Sequence, residues 1–387
     1  MHLLPLFGAA LTRFDDVRAA LFDRSMNVSS LAAKRGAMRA NILAQLPKDL
    51  RAAPPPLFFM DGDDHRRLRK IIAPAFSQRA VFALRPLVSE IAADLLDGLE
   101  GEPSFDLIAR YATPLPLHVI GHILGVAPNR RHALRAHSEA IIHELHPLAS
   151  TEQRNSAIDA HRALIQFFDE EIAFRRREPG SDLLTTLLGA MDRGEVRRDE
   201  VISLCINLLV AGHITTTDLI GVTTYLLLSN PGELVRLRQN PELWRNAIEE
   251  ALRFEPPAPL LARVCPAARR VHDHDLEQGD TLNLFIASAN RDPRRFDAPD
   301  AFDVTRQSNP HLSFGGGDHF CLGAQLARTE AEIAVSALFA RMPKLSLCYG
   351  ETAWRAHANF HGLTQLLLDN EVSMLTRRQG AVACATG

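Results

Sequence analysis

Ten residues carry the most legible chemistry in this chain: Phe314-Gly-Gly-Gly-Asp-His-Phe-Cys321-Leu-Gly323. A cysteine closes a glycine-rich loop, and a helical pattern starts at once with Ala324-Gln-Leu-Ala-Arg-Thr-Glu330. Glycines reach positive φ and bring main-chain N–H groups near a neighbouring atom without Cβ interference. The positive end of the following helix favours thiolate over thiol. Phe314 and Phe320 are placed to wall the sulfur from water. This residue set suits a metal-bound thiolate. A lone cysteine is also compatible with a small buried hydrophobe. Zinc is a further option, since His311, His319 and Cys321 lie close together, but no second Cys-x-x-Cys or His-x-x-x-His pair completes a tetrahedral site. The other cysteines, Cys205, Cys265, Cys348 and Cys384, are scattered singly.

Three further groups have residue types that could support such a centre. The segment Ala211-Gly212-His213-Ile214-Thr215-Thr216-Thr217-Asp218 interrupts an apolar helical pattern over residues 199–229. Threonine hydroxyls compete for main-chain carbonyls and bend helices, so in isolation this reads as a core helix with self-satisfied threonines. Glu250-Ala-Leu-Arg253 sets a carboxylate and a guanidinium at i,i+3. Glu233–Arg236 and Glu242–Arg245 repeat the spacing, so the pair alone reads as a solvated salt bridge. Context separates Glu250: Phe254-Glu-Pro-Pro257 ends its helix, and Arg263 follows. Finally, Asp61-Gly-Asp-Asp-His65-Arg-Arg-Leu-Arg69-Lys70 has aspartates suited to a helix N-terminus, with His65 and Arg69 one turn apart. A solvated basic turn accounts for it equally well when taken alone.

The long pattern Phe-Gly-x-Gly-x-His-x-Cys-x-Gly resembles the haem-binding loop of the cytochrome P450 superfamily, the haem-thiolate monooxygenases. The resemblance runs from about residue 8 to residue 369. It implies haem b with Cys321 as the axial iron ligand, and Phe314, Gly315 and Gly323 shaping the loop around it. In the family, the equivalents of His65, Arg69, Arg263 and His319 contact a propionate. The segment 211–218 resembles the oxygen-binding groove, Ala-Gly-x-acid-Thr-Thr. Gly212 would let the helix pass close over the haem, and Thr215 aligns with the alcohol that serves O2 activation. The acid position is the departure: it is Ile214. A positioned acid typically contributes ~10²–10⁴-fold, and isoleucine relays no proton. His213, Asp218, ordered water or a polar group on the substrate are the alternatives. The run from Asn290 to Arg306 resembles the family loop that brings a second arginine, Arg306, to Glu250 and Arg253 as structural support for the cysteine loop.

The elements that must position these groups are mostly helical. The 3.6-residue periodicity predicts helices over 15–22, 64–72, 79–99, 116–124, 130–145, 153–176, 182–192, 199–229, 232–238, 241–254 and 322–341. Strands are expected at 8–13, 261–265, 280–286 and 363–368. No repeat or linker divides the chain, so a single domain over 1–387 is expected, with a frayed tail at 370–387. The fold class is mainly α with a small β region. The resemblance specifies the cytochrome P450 fold, a triangular helical prism with a long central helix over the haem. Bacterial relatives usually carry an extra stretch before the equivalent of Leu11-Thr-Arg-Phe-Asp-Asp-Val17, so the resemblance leaves the family's first helix open.

A net charge of −3 lacks the basic excess of a nucleic-acid binder. Five unpatterned cysteines argue for a reducing compartment. The apolar start is short and broken by Pro5, which excludes a membrane anchor there and points to a cytoplasmic protein. The expected function is insertion of one oxygen atom from O2 into a hydrophobic small molecule, in bacterial secondary metabolism, by a monomer. Without a flavin or iron–sulfur segment, electrons must come from NAD(P)H through a ferredoxin and a ferredoxin reductase. Arg66, Arg67 and Lys70 offer a docking patch for the ferredoxin. The substrate pocket is expected near Leu209, Val210, Ile214, Leu260, Leu261 and Leu363, all apolar, which fits a terpenoid, polyketide or fatty acid. Residues 30–58 should cover it. An atypical oxidation, such as desaturation, ring contraction, C–C coupling or peroxide-driven chemistry, is the alternative that Ile214 favours. A haem sensor or storage module is the second alternative.

Overall fold

The computed structural model describes residues 2–4, 8–34, 45–146 and 148–370. The helices in its first half are α1 (Phe14–Phe22), α2 (Lys48–Ala52), α3 (Gly62–Ile72), α4 (Gln78–Asp97), α5 (Pro114–Leu124), α6 (His132–Ile141), α7 (Thr151–Arg177) and α8 (Leu183–Asp192). Then come α9 (Arg198–Ser229), α10 (Pro231–Gln239), α11 (Trp244–Phe254), α12 (Ile286–Ala289) and α13 (Ala324–Arg341). The strands are β1 (His2–Leu4), β2 (Gly8–Leu11), β3 (Ser104–Asp106), β4 (Leu260–Val264), β5 (Arg269–Val271), β6 (His274–Leu276), β7 (Thr281–Phe285), β8 (Leu345–Trp354) and β9 (Leu363–Asn370).

One sheet has the order β1-β2-β7-β4, with β2 and β7 parallel and the other neighbours antiparallel. A second, antiparallel sheet has the order β3-β9-β8, and β5 and β6 form a hairpin. The register Arg263↔Leu282 and Leu261↔Leu284 fixes which way Arg263 points.

Local chemistry sets several boundaries. Ser150 and Gln153 form a reciprocal capping box on α7: the Gln153 N–H donates to Ser150 Oγ at 3.2 Å, and the Ser150 N–H donates to Gln153 Oε1 at 2.8 Å. Asp182 Oδ1 accepts the Thr185 N–H at 2.9 Å and caps α8. Such a cap contributes about 1 kcal/mol. The periodic stretch 130–145 is not one helix. It divides into a 3-10 turn Pro128–Arg130, α6, and a 3-10 turn Ile142–Leu145. Likewise Pro241, which lacks an N–H, begins a 3-10 turn before α11.

The main core joins α3 to α11 and α13, with Tyr111, Leu115, Ile120, Phe168, Leu209 and Ile220 almost fully buried. Each such side chain contributes about 1.5–3 kcal/mol by leaving water. Helix α9 is long and apolar enough to cross a bilayer, but 78% of its most apolar window is buried inside the protein, which makes it a core helix. A smaller cluster, including Leu11, Phe14, Val17, Leu284, Phe296 and Leu312, packs α1 onto the first sheet. It seats the segment that leads into the cysteine loop. The described chain ends at Asn370, whose N–H donates to Pro103 O at 2.8 Å; the expected frayed tail from 371 onward lies outside the described residues.

Candidate active site

The Cys321 N–H donates to Phe314 O at 2.9 Å and closes the loop. Gly315 and Gly317 sit at φ +68° and +65°, where L side chains are strained. A Cβ at Gly316 would lie 2.6 Å from the Phe22 ring, and one at Gly317 would lie 2.9 Å from Leu21 O, so the loop rests directly on the end of α1. Cys321 opens to solvent-accessible space three residues ahead of α13. Protein packed around the thiol raises its pKa, while the Gly323 N–H and the charges of Arg69 and Arg328 pull the other way. Phe314 is half-buried, with the Arg328 guanidinium over its ring at 4.3 Å. Phe320 is 43% exposed, its ring centroid 6.4 Å from that of Phe314.

Behind the loop, Glu250 and Arg253 are fully buried. Arg253 Nε and Nη2 donate to Glu250 at 2.8 and 2.7 Å. Arg306 Nε reaches the same carboxylate at 3.0 Å, as the resemblance implied. Arg253 also donates to the carbonyls of Asn290, Pro299 and Ala301. Two asparagines that sequence reasoning missed extend the network. Asn309 Nδ2 donates to Glu250 Oε2 at 3.0 Å. Asn290, also buried, accepts the Leu312 N–H at 2.8 Å and donates to Ser313 Oγ at 2.9 Å, next to Phe314. Burial alone would raise the neighbouring Glu249 carboxyl, but hydrogen bonds from His311 and Arg328 hold it at about 2. Glu233–Arg236, by contrast, is a loose 3.7 Å pair with Arg236 half exposed.

A cluster of basic groups lies beside the loop. His65 and His319 rings are 4.3 Å apart, and Arg69 Nη2 donates to Phe320 O at 2.6 Å. Burial, with the charges of His65 and Arg263, lowers His319 to about 4; burial and then Arg69 lower His65. Arg263 is 5% exposed and donates only to the carbonyls of Ala262 and Leu21; among the described residues it has no carboxylate partner. The aspartates do sit at the N-terminus of α3, Asp61 at the N-cap position and Asp63 and Asp64 in the first turn, but the Asp61 side chain makes no cap bond to the helix. Its carboxylate accepts the N–H groups of Val28 and Ser29 at 2.9 Å each. The supposed docking patch is partly neutralised, because Arg66 pairs with Asp63 and Arg67 with Asp64 and buried Glu200.

On α9, Thr215 Oγ donates back to Ala211 O at 2.8 Å. A Cβ on Gly212 would meet Ile120 of α5 at 3.3 Å, so this glycine serves helix packing. Ile214 is 2% exposed. His213 is buried, its Nδ1 3.3 Å from Ser138 Oγ, and burial with the charges of Arg135 and Arg355 lowers it to about 3. Asp218 is fully buried and pairs with Arg355 Nη1 at 2.5 Å. Burial raises its carboxyl to about 6 against the pull of Arg355, and its Oδ1 has no hydrogen-bond partner.

A cavity of about 350 Å³ adjoins this segment. Ile214 and Leu363 line it, but Leu209, Val210, Leu260 and Leu261 do not; Leu209 is core. Much of the wall is polar instead, including Arg135, Glu139, His143, His213, Thr217 and Arg355. Three helical segments and a hairpin turn deliver these polar side chains to one space.

The thiolate loop, the buried basic cluster and the long core helix define a haem-thiolate enzyme class. The model of the family described as cytochrome P450 matches residues 54–342. Cytochrome P450 107B1 of Saccharopolyspora erythraea is 38% identical over 92% of this chain and 87% of its own length. The 6-deoxyerythronolide B hydroxylase of the same organism is 35% identical, covering 92% and 88%. The solved structure of CxnD, a cytochrome P450 for C–S bond formation in chuangxinmycin biosynthesis, superposes with a TM-score of 0.85 at 35% identity, covering 93% and 87%. The chain belongs to the cytochrome P450 family, whose members are monooxygenases.

The residues fit the haem this family carries. Buried Arg263, lacking a counter-ion, answers the need of a carboxylate for a cation, since an unpaired buried charge is otherwise costly. At Gly323 a Cβ would meet nothing within 4 Å of the protein, so the open side beside Cys321 can take a flat group. The zinc alternative fails: His311 pairs with Glu249, His319 lies toward Asp61, and no cluster of metal-ligating side chains occurs among the described residues.

Proposed function

We propose that the protein is a bacterial-type monooxygenase that inserts one atom of O2 into a small organic molecule, with electrons delivered from NAD(P)H by a ferredoxin and its reductase. The observation that carries the reading is Cys321 at the exit of a rigid glycine loop beside a basic cluster with an unpaired buried arginine. Cys321 would bind the iron, while His65, Arg69, Arg263 and His319 would hold the propionates. Bound there, the haem supplies oxygen activation, which a thiolate ligand favours. Glu250, Arg253 and Arg306 hold the loop still.

Thr215 and Asp218 would manage protons on the opposite side. Asp218 lies four residues after Ile214 and shares its helix face, so it stands one turn from the missing acid. Burial raises its carboxyl to about 6 against the pull of Arg355, which brings it closer to the range a proton donor needs. His213, held neutral and turned to Ser138, is the poorer relay.

Reconstitution with a ferredoxin, its reductase and NAD(P)H tests the reading. Products should carry one atom of isotopically labelled dioxygen. A second reading, atypical oxidation, is favoured by Ile214 and by the similar likeness to a hydroxylase and to a C–S bond-forming enzyme. Efficient turnover with peroxide and no reductase, or a product without labelled oxygen, selects it.

A further inference from the structure

The cavity beside Ile214 has a chemical preference of its own. Arg135 enters from α6, and Arg355 enters from the turn between β8 and β9. Each has one carboxylate partner: Glu139 takes Arg135 Nε at 3.0 Å, and Asp218 takes Arg355 Nη1 at 2.5 Å. Arg135 Nη1 also donates to Ala109 O at 3.2 Å; among the described residues, its part-exposed Nη2 and the Nε and Nη2 of Arg355 make no hydrogen bond within the protein. The charges of both arginines also reach the buried His213.

Thr217 is 3% exposed, lines the same cavity, and its hydroxyl has no partner. An orphaned buried hydroxyl is costly unless a ligand or water satisfies it. His143 Nδ1 on the same wall is orphaned as well.

The two walls are tied together by a reciprocal pair of imidazoles. His146 Nε2 donates to Ala356 O at 2.9 Å, and His357 Nε2 donates to Ile142 O at 3.1 Å. Each Nδ1 accepts a main-chain N–H two residues on, from Leu148 and Asn359 respectively. That pattern puts the donor nitrogen of each ring at Nε2 and the acceptor at Nδ1. The arginines are thus held across a defined gap.

We propose that this cavity is a subsite for a carboxylate carried by the substrate, gripped between Arg135 and Arg355 with Thr217 donating to it. The substrate class is then amphipathic, an apolar body with an anionic end, and not a wholly apolar molecule. Free guanidinium N–H groups match a carboxylate in shape and charge. Ile214 and Leu363, on the same lining, offer the apolar body a surface. This inference rests on the monooxygenase reading of the same site.

The test uses the haem-loaded protein and two matched probes, dodecanoate and 1-dodecanol. Binding is measured by calorimetry and by the spin-state shift of the Soret band. The acid is expected to bind about 10-fold or more tightly than the alcohol, as loss of a charged hydrogen bond predicts. Arg135→Gln and Arg355→Gln should each remove about 10-fold of the acid's affinity and leave the alcohol within about 2-fold. Arg355→Lys should recover part of it. Arg135 is part exposed, so its variant remains folded and decisive if Arg355→Gln is unstable. Equal affinity for the two probes, parallel losses for both, or no binding of either at millimolar concentration overturns the subsite. The reduced carbon monoxide spectrum keeps the two readings apart. A thiolate-type band with equal probe affinities rejects only the subsite, whereas absence of that band rejects the haem reading.

Discussion

Around Glu250 every charged group is paired, while around Asp218 several buried polar atoms are left without partners. The Glu250 carboxylate receives Arg253, Arg306, Asn309 and the Asp303 N–H. On the other side, Asp218 Oδ1, Thr217 Oγ and His143 Nδ1 are all orphaned within one neighbourhood. Pairing of every charge makes the Glu250 network rigid, although the buried Asn309 Oδ1 in it has no partner, and several orphans together leave the Asp218 side dependent on something that binds. The first region is built to hold the cysteine loop. The second is the region for which we propose a ligand and a proton role.

The largest effect should come from breaking the satisfied side. Arg253→Met leaves Glu250 buried with too few cations, a change that costs about 3–5 kcal/mol. Chemical denaturation should show that loss, together with weaker haem retention. A cost near zero would mean that the network is not the support described.

Asp218→Asn should do the opposite. Its stability should fall less than that of Arg253→Met, because the asparagine oxygen keeps the shape of the carboxyl and can still accept from Arg355. Product formed per NAD(P)H consumed should fall by about 10²-fold, the contribution of one positioned acid. A large stability loss with unchanged coupling would reverse the roles of the two regions.

A smaller effect concerns pH. Burial lowers His357 to about 4 and His213 to about 3, both from 6.5. The unfolded chain therefore binds more protons than the folded one below pH 6.5, and stability falls as the medium is acidified through that window. For His357 the loss is complete near pH 4. Asp218 acts in the reverse sense, since its raised carboxyl favours the folded state between 3.8 and about 6. Two histidines outweigh one carboxyl, so melting temperature should drop on acidification, and His357→Gln should flatten part of that slope. A pH-independent melting temperature between 4 and 6.5 would contradict the neutral imidazole ties.

The sequence made the satisfied side readable and the orphaned side nearly invisible, for a physical reason. The cysteine loop is a contiguous pattern, and Glu250–Arg253 is one helix turn. Their partners Asn290 and Asn309 needed tertiary contact to be found. The cavity draws on α6, α9, the turn after β8, and the segment near Ile108 and Thr113, so no local spacing announces it. Leu209 shows the ambiguity: it is fully buried core, and core and pocket share the same apolar composition. Helix periodicity located α9 well, but it ran through the 3-10 breaks flanking α6, where end turns tighten without changing the apolar pattern. Strand β8 went unseen because register shifts against β9 disturb its alternation.

The central claim is that Asp218 serves the proton role vacated at Ile214. The direct test is the fraction of reducing equivalents recovered as product by Asp218→Asn and by the double variant Ile214→Glu, Asp218→Asn. The substrate for it is whichever compound gives the largest spin-state shift. Coupling should collapse in the single variant and return in the double variant. Unchanged coupling in Asp218→Asn, or a collapse that Ile214→Glu does not repair, would contradict the account.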